Sequence, residues 1–287
     1  MNEVDTVDSS ARNRFTRQGD RQRAIQEIVM SEGAVRIEQL AERFGISIMT
    51  VHRDLDELES RGLLRKSRGL ATALSTSLIE SSDVFRSSRQ LAEKDALAHA
   101  AMEFIEPGQA IFMDDSTTIA HLVPLLSTKA PLTIITNVLP LMQQVSTIRG
   151  MSLLALGGNY YNWCSAFMGR MTNEAIANLK ADVFVLSTSA VVDDVCMHQT
   201  LETIDTKRAM FDASAKRILL VDHTKFEKRA LYALVPLTDF DVVIVDYKTD
   251  SSHVERLRAQ GINVVVAPRV APSTERRPAA RPTQTGE

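Results

Sequence analysis

Residues 37–56, IEQLAERFGISIMTVHRDLD, restrict the fold more than any other stretch, because they read as two short amphipathic helices joined by a tight turn. Ile37, Leu40, Ala41 and Phe44 recur at helical spacing, so the first helix has one apolar face. Gly45 stands where a helix can end in a left-handed residue, a conformation glycine adopts without a Cβ clash. Ser47 offers a side-chain oxygen to cap the second helix, and Val51, Leu55 and Leu58 give that helix its buried stripe. Small Ala41 lets the two helices approach, and Val51 seals the pair. The opposite face of the second helix presents Ser47, Met49, Thr50, His52 and Arg53. This pattern predicts a helix-turn-helix whose second helix reads base edges in the major groove of double-stranded DNA.

The flanks strengthen that reading. Residues 21–30 place Ile25, Ile28 and Val29 on one face of a third helix that would pack on the pair. Leu63 and Leu64 begin a short apolar run that continues into Arg65, Lys66, Ser67, Arg68 and Gly69. Such a run predicts a β-hairpin wing whose basic tip touches phosphate or enters a minor groove. A solvated hairpin is the competing reading, disfavoured by the basic cluster directly after the second helix. The formal net charge of −3 is unevenly spread. Residues 11–70 carry twelve Arg and Lys against nine Asp and Glu, so the basic excess falls where DNA contact is expected.

Residues 21–73 resemble the N-terminal winged helix-turn-helix of the DeoR/GlpR family of bacterial transcription regulators. The family pattern of Thr, apolar, Arg, Arg, Asp, Leu stands here as Thr50-Val51-His52-Arg53-Asp54-Leu55, with His52 in place of the first arginine. Where the family wing has His-Gly-Gly-Ala, this chain has Arg68-Gly69-Leu70-Ala71.

A chain of 287 residues with 44% hydrophobic content suits a small domain followed by a larger one. Two cysteines, Cys164 and Cys196, make neither a metal spacing nor a disulfide framework, which fits a reducing cytoplasm. No run approaches the roughly 18 apolar residues that span a membrane, and the polar N-terminus is no signal peptide. Residues 1–19 read as a disordered arm, 20–74 as the winged helix-turn-helix, and 75–90 as a serine-rich linker. Residues 91–267 read as a larger α/β domain and 268–287 as a disordered tail.

Within 91–267 an opening helix at 91–105 precedes alternating strands and helices. Apolar runs at 110–113, 132–135, 151–156, 183–186, 217–221, 242–245 and 264–266 predict a mostly parallel sheet covered on both faces. Ligands of open α/β sheets bind beyond the carboxyl ends of the strands. Those ends carry Asp114, Asp115, Ser116, Thr117 and Thr118; Thr136 and Asn137; Gly157, Gly158 and Asn159; Ser187, Thr188 and Ser189; and Asp222, His223, Thr224 and Lys225. Each alone is an ordinary polar loop, and capping accounts for Ser116 or Thr136. Five polar strand ends together favour a small anionic polyol, seated on hydroxyls and helix-start N–H groups.

These residues also resemble the DeoR sensor domain, which is similar to ribose-5-phosphate isomerases and glucosamine-6-phosphate deaminases. The resemblance implies a phosphate-binding loop at Asp114-Asp115-Ser116-Thr117-Thr118, with Ser116 replacing the family glycine. It further implies effector contacts from Thr136-Asn137, Gly157-Gly158 and Asp222-His223-Thr224-Lys225, and Ser187 joins them from its place at a strand end. In that scheme Lys225 pairs with the effector's charge and Asp114 accepts sugar hydroxyls. Tyr160, Tyr161 and Trp163 read as a lid, a subunit contact or core. Glu93 and Lys94 read as a solvated pair on the opening helix, although the family often has Glu-Lys there. His99, His121 and His198 show no metal spacing and read as structural or surface residues.

The leading expectation is a cytoplasmic repressor that binds an operator and a phosphorylated sugar, as a homodimer or homotetramer, with no cofactor, metal or membrane partner. The alternative is an isomerase- or deaminase-type enzyme with a DNA-binding appendage; it needs a carboxylate base beside the sugar carbon, for which Asp114 or Asp115 are the candidates. A nucleotide-binding oxidoreductase is discounted, since no Gly-x-Gly-x-x-Gly turn is present.

Overall fold

The computed structural model describes residues 18–60, 63–73, 80–81 and 83–270. The expected arm and tail lie outside the described residues, apart from 18–19 and 268–270, as do residues 75–79 and 82 of the expected linker.

The N-terminal domain runs α1 (Gln18–Glu32), β1 (Ala34–Arg36), α2 (Ile37–Phe44), α3 (Ile48–Ser60), β2 (Leu64–Ser67) and β3 (Leu70–Ala73). Its core takes most of the set anticipated from periodicity, Ile25 and Val29 of α1, Ile37, Leu40 and Ala41 of α2, and Val51, Leu55 and Leu58 of α3, together with Val35, Leu64 and Ala71, while Ile28 and Phe44 pack against it only partly buried. Gly45 closes α2 at φ 61°, with its N–H on the Glu42 carbonyl and that of Ile46 on Ala41. Ser47 Oγ accepts the Thr50 N–H at 3.1 Å and so caps α3. The wing turns at Arg68 and Gly69, both with positive φ, the backbone of a tight two-residue hairpin. The unanticipated β1 pairs with β3 and completes a three-stranded sheet.

After a short helix α4 (Asp83–Ser87), which lies where a linker is expected, the larger domain opens with α5 (Leu91–Ala101). There follow β4 (Ala110–Met113), a 3₁₀ stretch (Ile119–Lys129), β5 (Leu132–Thr136), α6 (Leu139–Val145) and β6 (Met151–Ala155). Next come β7 (Asn159–Tyr161), β8 (Ala166–Met168), α7 (Arg170–Ala177), β9 (Ala181–Ser187), β10 (Ala190–Val192) and β11 (Val195–His198). The chain continues through α8 (Leu201–Asp212), β12 (Ser214–Val221), a 3₁₀ turn (His223–Glu227), β13 (Tyr232–Pro236), β14 (Val242–Asp246), α9 (Ser251–Ala259) and β15 (Val264–Ala267).

Seven strands form one parallel sheet in the order β15-β14-β12-β9-β4-β5-β6. Its strands are apolar at nearly every position because both faces are covered, and successive residues feed different cores. Val183, Val185, Ile218, Leu220 and Ile244 pack with α5 and α6 on one face. Phe184, Leu186, Leu219, Val221 and Val243 pack with α8 and α9 on the other. The β7–β8 hairpin and the small β10-β11-β13 sheet were not anticipated. They are short, and their residues lack the long apolar runs of the central strands.

Strand order decides where a ligand can sit. The chain builds outward through β4, β5 and β6 on one side, then outward through β9, β12, β14 and β15 on the other. The reversal lies between β4 and β9, which makes their carboxyl ends the crevice of the sheet.

Candidate effector cavity and nucleic-acid interface

On the recognition helix α3, Ser47, Met49 and Arg53 are exposed, while Thr50 and His52 are half-buried. The helix is pinned from below. Buried Asp54 receives Arg21 Nε at 2.6 Å, Arg21 Nη2 at 3.1 Å and Gln22 Nε2 at 3.2 Å, all from α1. The Asp of the Thr-Val-His-Arg-Asp-Leu motif is therefore a tether that sets the helix's angle, leaving its neighbour Arg53 pointing outward. In the wing, Lys66 is ion-paired with Asp56 of α3. Arg68 is exposed at the turn, and Arg65 lines a cavity of the larger domain.

That cavity, of about 270 Å³, lies at the sheet's crevice. Asp115, Ser116, Thr117 and Thr118 reach it from the end of β4, Ser187, Thr188 and Ser189 from β9, and Asp222, Thr224 and Lys225 from β12. The structure thus gathers three of the five polar strand ends. The other two belong to β5 and β6, on the far side of β4, and do not line it. Thr136 Oγ1 accepts the Val138 N–H and so holds the turn into α6, and Asn137 Nδ2 donates to the Phe167 carbonyl and so braces the β7–β8 hairpin.

Gly157 and Gly158 also serve packing. The Gly157 carbonyl accepts Thr172 Oγ1 at 2.7 Å. A Cβ on Gly158, whose φ is 154°, would stand 2.1 Å from Thr172 Oγ1 and 2.8 Å from the Met168 carbonyl oxygen. Gly158→Ala is therefore expected to lower stability by about 1–3 kcal/mol in denaturant unfolding. A Cβ on Gly157 would meet nothing within 4 Å, and Gly157→Ala should stay within about 0.5 kcal/mol of wild type. Equal losses at the two positions would contradict this assignment.

Asp114 sits just behind the cavity wall, 1% exposed. Its carboxylate takes Lys207 Nζ at 2.5 Å, the Ser187 N–H at 3.1 Å, the Ser116 N–H at 3.0 Å and Ser116 Oγ at 2.6 Å. With that many donors it organises the loop instead of accepting sugar hydroxyls. Lys207, from α8, also reaches Asp115 at 3.1 Å and the Ser187 carbonyl at 3.0 Å, clamping β4 to β9 across the crevice. Ser116, in the family glycine's place, uses its hydroxyl to bind Asp114 and stabilise the turn.

The cations of the cavity were the least visible feature of the sequence. Lys94 is 4% exposed, not solvated, and its ammonium donates to Thr117 Oγ1 at 2.9 Å and to the Arg86 carbonyl. Glu93 turns away, to Lys248 at 2.5 Å and to the Tyr247 hydroxyl at 3.2 Å. Arg86, Arg89, Lys94, Lys225 and Lys228 line one cavity. Burial, reinforced by the Lys225 charge, pushes Lys94 down to about 7 and Lys228 to about 8. Arg86 lies 5.8 Å from the centre of the Trp163 ring, and among the described residues its buried Nε and Nη2 have no hydrogen-bond partner. Trp163 thus forms cavity wall.

His198 lines the cavity as well and is 5% exposed. Burial, then the Lys207 charge, holds its pKa well below the usual imidazole value, so the ring is neutral. Its Nδ1 lies 3.0 Å from Ser189 Oγ, and that hydroxyl donates to Glu80. The proton therefore belongs on Nδ1, leaving Nε2 as a buried acceptor with no partner among the described residues. His121 instead pairs with Asp95, and His99 is exposed. Among the described residues no group of His, Cys, Asp and Glu is arranged to hold a metal, and no helix is long and apolar enough to cross a membrane.

Residues 21–77 match the family model described as the DeoR-like helix-turn-helix domain, and residues 89–247 that described as the DeoR C terminal sensor domain. The chain is 33% identical to the lactose phosphotransferase system repressor of Staphylococcus aureus strain N315, over 82% of this chain and 94% of that protein. It is 29% identical to the transcriptional repressor AccR of Agrobacterium fabrum, over 82% of this chain and 92% of that one. Ribose 5-phosphate isomerase A from Methanocaldococcus jannaschii superposes with a TM-score of 0.35 at 12% identity, covering 46% of this chain and 53% of its own. Likeness at that level bears on neither ligand nor activity. With a DNA-reading helix tethered in its N-terminal domain and both family domains matched in order, the chain belongs to the DeoR family of transcriptional regulators.

Proposed function

We propose that the protein is a cytoplasmic repressor whose larger domain binds a phosphorylated sugar, and that this binding changes its grip on an operator. It acts as a homodimer or homotetramer, since helix-turn-helix readers pair to match two half-sites. The DNA contacts are assigned to Ser47, Met49, Thr50, His52 and Arg53 of α3 and to Arg68 of the wing. The effector contacts are assigned to Ser116, Thr117, Thr118, Ser187, Lys94 and Lys225. The observation that carries the ligand class is the crowding of Arg86, Lys94, Lys225 and Lys228 in one cavity, with two of the lysines pushed towards neutrality. Glu80 and Asp222, which line the same cavity, offset only part of that positive charge, and a phosphate supplies the rest. Hydroxyls on Thr117 and Ser187, with the bare Nε2 of His198, suit a polyol beside that phosphate. Lys207 already claims Asp114 and Asp115, which supports a binding site over one that moves protons on a sugar carbon.

The test follows from Lys94. A phosphate with a second pKa near 6 is fully charged above neutrality, whereas Lys94 titrates at about 7. Binding must then recruit a proton to Lys94 as pH rises from 7 to 9. Lys94 alone is expected to lower affinity for the effector across that range by at most about tenfold per pH unit. Lys94→Gln should weaken binding by about 10–100-fold and make the pH profile shallower, leaving the fall above about pH 8 to which Lys228 contributes. Calorimetric titration of a panel of phosphorylated sugars into both proteins measures this. Equal affinities, with the same pH profile in both, would remove Lys94 from the site.

A further inference from the structure

Glu80 lies in the segment that joins the wing to the larger domain, yet it is only 8% exposed and lines the effector cavity. One carboxylate oxygen accepts the Ser189 hydroxyl, and the other accepts the N–H of Ser81 at 3.1 Å. Burial opposes its ionisation, but the charges of Arg86, Lys225 and Lys228 and the Ser189 hydroxyl outweigh that, and its pKa lies below the ordinary glutamate value. A joining segment has no packing reason to bury a charged carboxylate among cations. What the arrangement resembles chemically is an anion in its binding site: two oxygens, a hydroxyl donor, and surrounding positive charge. The seat also has capacity that Glu80 leaves unused, since Nε and Nη2 of Arg86 are buried without partners among the described residues.

We propose that Glu80 is an internal ligand: its carboxylate occupies an anion seat formed by Ser189, Arg86, Lys225 and Lys228, and an anionic group of the effector competes with it for that seat. The inference rests on the cavity being the effector site. It gives ligand binding a direct purchase on the connection to the DNA-binding domain. The effector binds fully only where Glu80 has left, and a ligand shifts an equilibrium only through such a difference between two states. The occupied seat lowers the apparent affinity by the fraction of molecules in which Glu80 has withdrawn.

Inorganic phosphate serves as the probe, with the full-length chain. Glu80→Gln keeps the shape and removes the charge, and phosphate is expected to bind it about tenfold more tightly than wild type. The decisive readout is hydrogen exchange at the Ser81 amide, which donates to Glu80. Saturating phosphate should speed that exchange in wild type as Glu80 is expelled. A carboxylate that merely repelled the ligand would produce the affinity gain with no change in exchange, and that result overturns the inference while leaving the effector site intact. Equal phosphate affinity in wild type and Glu80→Gln overturns it likewise. Phosphate binding to neither protein removes both the internal ligand and the proposed sensor.

Discussion

Lys207→Met should destabilise the larger domain by about 3–5 kcal/mol, the usual cost of removing one member of a buried ion pair. Lys207 is 2% exposed and bridges Asp114 and Asp115, both almost wholly buried. Methionine fills similar space but leaves two carboxylates facing each other with no cation between them. Asp114 retains the Ser187 and Ser116 donors, so most of the penalty falls on Asp115. Denaturant unfolding at neutral pH measures the loss. Burial alone would lower the Lys207 pKa, but the two carboxylates reverse that and hold it above the ordinary lysine value. Its contribution is therefore complete below the ordinary lysine pKa and is lost as pH rises through its folded value. A variant as stable as wild type would mean that the crevice is held together by something else.

Arg53→Ala is expected to weaken operator binding by about 10–100-fold, corresponding to the ~1–3 kcal/mol of a bidentate base contact. Its neighbour Asp54 is fully engaged by Arg21 and Gln22, so α3 keeps its angle when Arg53 is truncated. The loss should fall mainly on the operator and little on scrambled DNA. A uniform loss on both duplexes, with the salt slope reduced by about one, would instead make Arg53 a phosphate contact. Unchanged operator affinity would exclude it from the interface. Effector binding should be the same in both proteins.

Much of the N-terminal domain was legible because its information is local. Helical spacing, the left-handed Gly45 and the Ser47 cap each follow from a few adjacent residues, and all of them appear as expected. The seven parallel strands were legible for a similar reason: burial on both faces forces apolar runs that stand out from their surroundings. The order of those strands was not legible, since nothing in a single strand states which neighbour it pairs with. That one unknown separates Ser116, Thr117, Thr118, Ser187 and Lys225, which meet at the cavity, from Thr136, Asn137, Gly157 and Gly158, which do not. The same unknown hid Lys207, an ordinary charge on α8 until β4 and β9 are placed side by side. Glu80 was hidden differently. A serine-rich joining segment reads as solvated, and only the cations contributed by α4 and by the turn after β12 give its carboxylate a reason to be buried.

Fluorescence anisotropy of the full-length protein on DNA from upstream of its own gene, against a scrambled duplex at the same salt, tests the proposed regulator most directly when phosphorylated sugars are titrated into the complex. Selective binding that at least one phosphorylated sugar alters in wild type, and alters in Lys94→Gln only at about 10–100-fold higher concentration, is the outcome that the cation-lined cavity predicts. Selective binding that no phosphorylated sugar changes, or changes equally in both proteins, would contradict it.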